Sequence, residues 1–186
     1  IIPFYRGAEI MSFFRAKYIL VANERVLFAN IVEPSGGFPH LIVGSSTANP
    51  AIISTANRPS SALGAGDPWF LPSPDIRPIN GFLKAFQSSF LMTQAGSIFE
   101  LVGDSASDFA VSEFYTAGAP TGTEAYVFDG DDLIYGRHGR IESLRATQNY
   151  GDVATGDLSW LIGTATADVA DWRLVYNRTS QRLYAF

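Results

Sequence analysis

The sequence predicts an all-β fold, a β-propeller or partial propeller of antiparallel three- to four-stranded blades, with one long Pro-rich insertion and at most one short helix. Three observations carry this. Two stretches share one pattern: GFLKAF-QSS-FLMTQ-AGS-IFELV at 81–102 and EAYVF-DGDD-LIYG-RHG-RIESL at 124–144. Each has three runs rich in Val, Ile, Phe and Tyr, which suit a pleated, half-buried surface, separated by two short polar turns. The second turns carry Gly96 and Gly139, about 43 residues apart, and a multi-stranded repeat of roughly 40–45 residues is the period of propeller blades. The composition agrees, with 47% hydrophobic, 13% aromatic and 17% charged residues, as expected of a packed domain and not of a disordered chain.

In chain order, residues 8–33 read as a first blade, EIMSFF-RAK-YILVA-NER-VLFAN. Its turn at Asn23-Glu24 precedes Gly96 by about 72 residues, so an insertion is placed at 34–78. That stretch holds eight of the ten prolines. Proline lacks the N–H a sheet ladder needs, which argues against a central strand over most of it. The runs LIVG at 41–44 and AIIS at 51–54 are short strand candidates, and 55–78 reads as a long ordered loop. Within it, Trp69, Phe70 and Leu71 place large apolar groups on a connection. They either fold back over the core or contact another subunit, and Trp160 joins them as a subunit-interface candidate. Residues 79–117 form the next blade, with FAVSEFY at 109–115 as its outer strand, and 123–150 the one after. Gly156-Asp157 before LSWLI reads as a capped helix start. WRLVYN-RTSQ-RLYAF gives a last hairpin within 156–186.

Other function classes find little support. The net charge is −5, whereas dedicated nucleic-acid binders carry a basic face. There is no Cys, which removes disulfides, zinc–thiolate sites and cysteine nucleophiles. No run reaches the roughly 18–20 apolar residues of a membrane span. Gly103-Asp104-Ser105 echoes the serine block of SGNH esterases, but neither His40 nor His138 sits in the required Asp-x-x-His. Asp129-Gly130-Asp131-Asp132 lacks the alternating ligand spacing of a calcium loop and is ordinary turn composition. No phosphate loop or dinucleotide fingerprint occurs. No catalytic, metal or cofactor-binding residue is therefore assigned. Arg137, His138, Arg140 and Arg145 form the densest basic cluster. It either faces passing DNA or an acidic neighbour, or is a solvated hairpin tip.

The combination GFLKAFQSSFLMTQAGSIFELVGDSASDFAV, VFDGDDLIYGRHGRIESLRATQNYGDV and DLSWLI resembles the tail nozzle proteins of short-tailed bacteriophages, also called tail tubular protein B. The packaged-DNA stabilisation (tail hub) proteins are similar in the same blade. The resemblance covers about residues 8–186. It implies a non-enzymatic structural role in the virion tail: a hexameric ring joined to other tail proteins (adaptor and fibres), with double-stranded DNA passing transiently through the channel. An acidic balance suits such a lumen, because tight phosphate binding would retard the genome. The family's chains are several times longer, and this chain begins at Ile1 and stops directly after a strand. It is therefore expected to be an arc of a longer propeller, with Gly96 and Gly139 in tight turns of positive φ. The alternative is a propeller ligand- or glycan-binding module without catalysis.

Overall fold

The described residues form sixteen strands in five small sheets, which follow chain order except that β6 returns to the first. The computed structural model describes residues 4–6, 9–11, 15–33, 36–54, 56–85, 88–93, 97–115, 125–128, 132–137, 140–145, 173–177 and 179–185. The first sheet holds β1 (Phe4–Arg6), β2 (Glu9–Met11) and β6 (Ile52–Ile53). The second runs β3 (Arg15–Ala22), β4 (Arg25–Glu33), β5 (Gly36–Gly44) and β7 (Trp69–Pro72), in that order. The third is the meander β8 (Ile79–Ala85), β9 (Ser88–Thr93), β10 (Ile98–Val102) and β11 (Ala110–Tyr115). The fourth is β12 (Tyr126–Phe128), β13 (Leu133–Arg137) and β14 (Arg140–Ser143). The hairpin β15 (Leu174–Asn177) and β16 (Arg182–Ala185) is the fifth.

The fold is thus all-β and, apart from the parallel β1–β6 pair, antiparallel. The outer strand expected in FAVSEFY is β11, paired with β10 through Leu101↔Val111. The first expected blade needs correction. Glu9–Met11 pairs with β1, not with β3, and Arg15–Lys17 is strand where a turn was expected. The second sheet does not stop at residue 33 either, because the Pro-rich stretch supplies its third and fourth strands. Pro39 lies between the Phe38 and Leu41 pairings, beside the bulge at Asn30 in β4. Pro72 lies at the end of β7, an edge strand. These are the places where a missing N–H costs no ladder bond. Gly96, Gly139 and the helix expected after Asp157 lie outside the described residues.

Side chains alternate across each strand, so each sheet has two faces to cover. Leu27, Ala29, Ile42 and Trp69 of the second sheet pack against Phe82, Phe99, Leu101 and Phe109 of the third. The third sheet's other face, with Phe90, Met92 and Ile98, meets Leu133, Tyr135 and Leu144. Ala125, Ile134 and Ile141 then meet Leu174 and Leu183 of the last hairpin. On the far side of the second sheet, Phe28, Ile31 and Val43 meet Ile53. Each fully buried side chain of this size contributes about 1.5–3 kcal/mol.

The leading strands of successive sheets approach one another, β3 to β8 and β12 to β15. The Tyr18 hydroxyl donates to the Asn80 carbonyl of β8, and the Phe82 backbone N–H of β8 donates to the Tyr126 hydroxyl. Burial pushes both phenols above their ordinary pKa. Gly81 leaves room for this, since a Cβ there would come within 2.8 Å of the Tyr126 ring.

Candidate functional site

Two hairpin tips and one loop make a polar groove at one end of the second and third sheets. The β3–β4 connection has only Asn23 and Glu24, with φ of 51° and 58°. Positive φ at both central residues is the tight turn whose twist matches the flanking strands, and Asn is suited to it. The β10–β11 tip begins at Gly103, whose φ is 111°. A Cβ there would lie 2.9 Å from the Asp108 carbonyl oxygen and the Phe109 Cα, so both conformation and space require glycine. The Asn23 amide donates to the Gly103 carbonyl at 3.0 Å and ties the tips together.

The Asp108 carboxylate accepts from the backbone N–H groups of Ser105 (2.8 Å) and Asp104 (3.2 Å), and from the Ser105 hydroxyl (3.1 Å). The Ser105 backbone bond, foremost among these, holds Asp108 below the usual carboxylate range. Ser105 Oγ also lies 2.6 Å from Ser107 Oγ. The Gly-Asp-Ser block is thus engaged in building the tip, and His40 lies elsewhere, in β5.

The loop that flanks the tips is held from behind by Arg25, only 2% exposed. Its guanidinium donates to the carbonyls of Ser45 (2.6 Å), Asp67 (2.7 Å) and Ala65, and lies 5.7 Å from the Phe109 ring centre. Burial pulls its pKa down, and Asp67 opposes that pull.

Two cavities of about 370 and 260 Å³ share Asn23 and Asp104 and so form one groove. The first adds Glu24 and Thr47; the second adds Glu100, Ser88 and Ser89. Among the described residues the lining carries three carboxylates and no basic side chain. Among the described residues no three acidic or imidazole groups converge as a metal site would require. Ser89 is 7% exposed.

The interface candidates fare differently. Trp69 is wholly buried, 4.6 Å from Phe109 ring to ring and stacked over Gly44. It is a core residue of its own chain, the first of the two placements the sequence left open: a β7 side chain facing the third sheet has no surface left to offer. Leu71 packs half-buried on the same core. Phe70 is half-buried on the opposite face, with Arg58 5.5 Å above its ring. Trp160 lies outside the described residues. Of the basic cluster, Arg137 ends β13 opposite Arg140, Arg140 and Arg145 are exposed, and His138 is not among the described residues. The Arg145 N–H donates to Asp132 at 2.9 Å, and Ser143 Oγ to the same carboxylate at 2.5 Å. Asp132 therefore ties the end of β14.

The sequence reading found Asn23-Glu24 and Gly103-Asp104 as turns but not as one site. It passed over Arg25, although Arg25, Leu27 and Ala29 share one face of β4 and so place a cation on the core side. Neither a protein-family model nor a curated protein matches the chain.

Proposed function

We propose that the chain is a structural, non-catalytic part of a short-tailed phage tail, an arc of a nozzle propeller that assembles as a ring around the genome channel. The motif resemblance from GFLKAF to DLSWLI names the family. What supports the propeller arrangement is the order of the sheets: sequential meanders, stacked face on face, with leading strands adjacent. The observation that carries assembly is the outer face of β3. Ile19 and Val21 are 65% and 70% exposed there, beside Arg15 and Lys17, which are also exposed. Paired apolar side chains left open on a sheet face are what a neighbouring sheet covers. Light scattering and electron microscopy of the purified chain test this. A ring of about six copies is expected, in keeping with closed symmetry, and an Ile19→Lys, Val21→Lys double variant should release monomers without lowering the denaturation midpoint. A parent that stays monomeric at high concentration overturns the reading.

A second reading, a ligand-binding module, draws on the polar groove.

A further inference from the structure

We propose that the open face of the last hairpin, at Val175 and Tyr184, docks on the open face of β3, at Ile19 and Val21, of a second copy of this chain. The proposal rests on the ring reading and names the surface that covers β3.

The alternation of the leading strands is the first argument. Successive side chains of a strand point to opposite faces, and each internal leading strand has a neighbour on both. In β8, Phe82 packs toward the second sheet and Leu83 toward the fourth. In β12, Tyr126 packs toward the third sheet and Val127 toward the last hairpin. The terminal leading strands lack one of the two neighbours. Tyr18 and Leu20 of β3 pack toward the third sheet, while Ile19 and Val21 stay 65% and 70% exposed. On that side β6 reaches Phe28 and Val43 through Ile53 and leaves the β3 margin open. Leu174 of β15 packs toward the fourth sheet, while Val175 is 53% exposed. The stack therefore ends in two open faces that have the same place in the repeat as the covered ones between them.

The chemistry of the two faces is the second argument. Val175 stands directly across from Tyr184, itself 41% exposed, so the hairpin shows an apolar pair away from the fourth sheet. A two-stranded hairpin is marginal in water and gains stability from packing its apolar face. Within one chain the two patches do not cover each other, since all four side chains remain exposed. A β3-to-β3 contact would bring Arg15 and Lys17, exposed beside Ile19, against their own copies. The hairpin face has one flanking cation, Arg182. The contact is thus heterologous, one end of a copy on the opposite end of the next, and such contacts close into rings when the rotation allows.

The test is cross-linking of the full chain. It has no Cys, so a single introduced thiol is unique. Ile19→Cys and Val175→Cys chains are mixed and treated with a short bismaleimide, which spans thiols without the strict geometry of a disulfide. The expected result is a linked dimer from the mixture and from neither variant alone, and a ladder from the Ile19→Cys, Val175→Cys double variant. Ile76→Cys, equally exposed in the β7–β8 connection, should not link to Val175→Cys; a comparable link would mark random collision and overturn the proposal. Parental denaturation midpoints confirm that each variant folds. Val175→Lys, Tyr184→Lys should release monomers as the β3 double variant does. Dimers from Ile19→Cys alone overturn the proposal in favour of a symmetric β3 contact. An internal link in the double variant, without increase in mass, overturns it too, because one chain would then close on itself. A ring that forms without the mixed link refutes this inference and leaves the assembly reading intact; a parent that stays monomeric at high concentration refutes both.

Discussion

Removing the Arg25 guanidinium should cost more stability than any other single polar deletion in the second sheet. Hydrogen bonds to a charged group contribute about 1.5–3 kcal/mol each, so three carbonyl acceptors give a ceiling of roughly 4.5–9 kcal/mol. The ceiling is not reached, because Ala65 and Asp67 are exposed and their carbonyls recover water once the loop relaxes. Ser45 is fully buried, and its carbonyl keeps the whole penalty. Arg25→Met, which retains apolar contact with Phe109, should therefore cost about 3 kcal/mol, and Arg25→Ala about 1 kcal/mol more for lost packing. Arg25→Lys keeps the charge but cannot span three acceptors with one compact ammonium, so about 2 kcal/mol is expected. Urea denaturation measures these. Hydrogen exchange supplies a local check, because the Thr47 N–H bonds to Gly66 and the Ala106 N–H to Ala65. Both amides should lose protection in Arg25→Met beyond the global change. If Arg25→Met stays within about 0.5 kcal/mol of the parent, the desolvation of the buried cation offsets its bonds, as happens for some buried ion pairs, and the clamp argument fails.

Two other outcomes follow from the packing. Gly44→Ala would set a Cβ 2.5 Å from the Trp69 ring, and overpacking of this kind costs about 1–3 kcal/mol; a midpoint equal to the parent's would mean that the indole is not fixed where it lies. Tyr18 and Tyr126 have folded pKa values raised by burial above the ordinary value of 10.0. Their neutral forms are favoured in the fold, so stability is complete below about pH 10 and declines as pH rises beyond it. Tyrosinate absorbance should lag in the native protein and appear with unfolding, and Tyr18→Phe should flatten the alkaline slope; a slope unchanged in that variant would refute the assignment.

The parts legible in the sequence are those set by local chemistry. Strands β8 to β14 follow from β-prone runs and polar turns, and Asn23-Glu24 marks its hairpin because two residues between alternating strands leave few other geometries. What was not legible depends on pairing partners distant in the chain. Trp69-Phe70-Leu71 reads as a loop segment until β5 offers an edge for it, with Val43↔Phe70 as the pair. The prolines that argued against strands lie at an edge and beside a bulge, and a sequence does not announce its edges. The groove was hidden for the same reason. Ser89 comes from β9 and Asn23 and Asp104 from two separate hairpin tips, and only the stacking of two sheets brings them together.

The placement of Arg25 also settles how the groove keeps its charge. A guanidinium this close to Glu24 and Asp104 would ordinarily be expected to neutralise one of them. Instead it is turned inward by the alternation of β4, which sets residue 25 on the same face as Leu27 and Ala29. Its donors are then directed to three carbonyls. Held there, it fixes the flanking loop without cancelling the carboxylates. Moving the cation outward would reverse both effects together, loosening the loop while filling the groove with the protein's own positive charge. An Arg25→Met, Glu24→Lys double variant approximates that arrangement. It should lose protection at Thr47 and Ala106, whereas Glu24→Lys alone, with the loop still clamped, should keep it. If the single variant also unprotects those amides, clamp and groove are one mechanical unit and the separation argued from Arg25 is wrong.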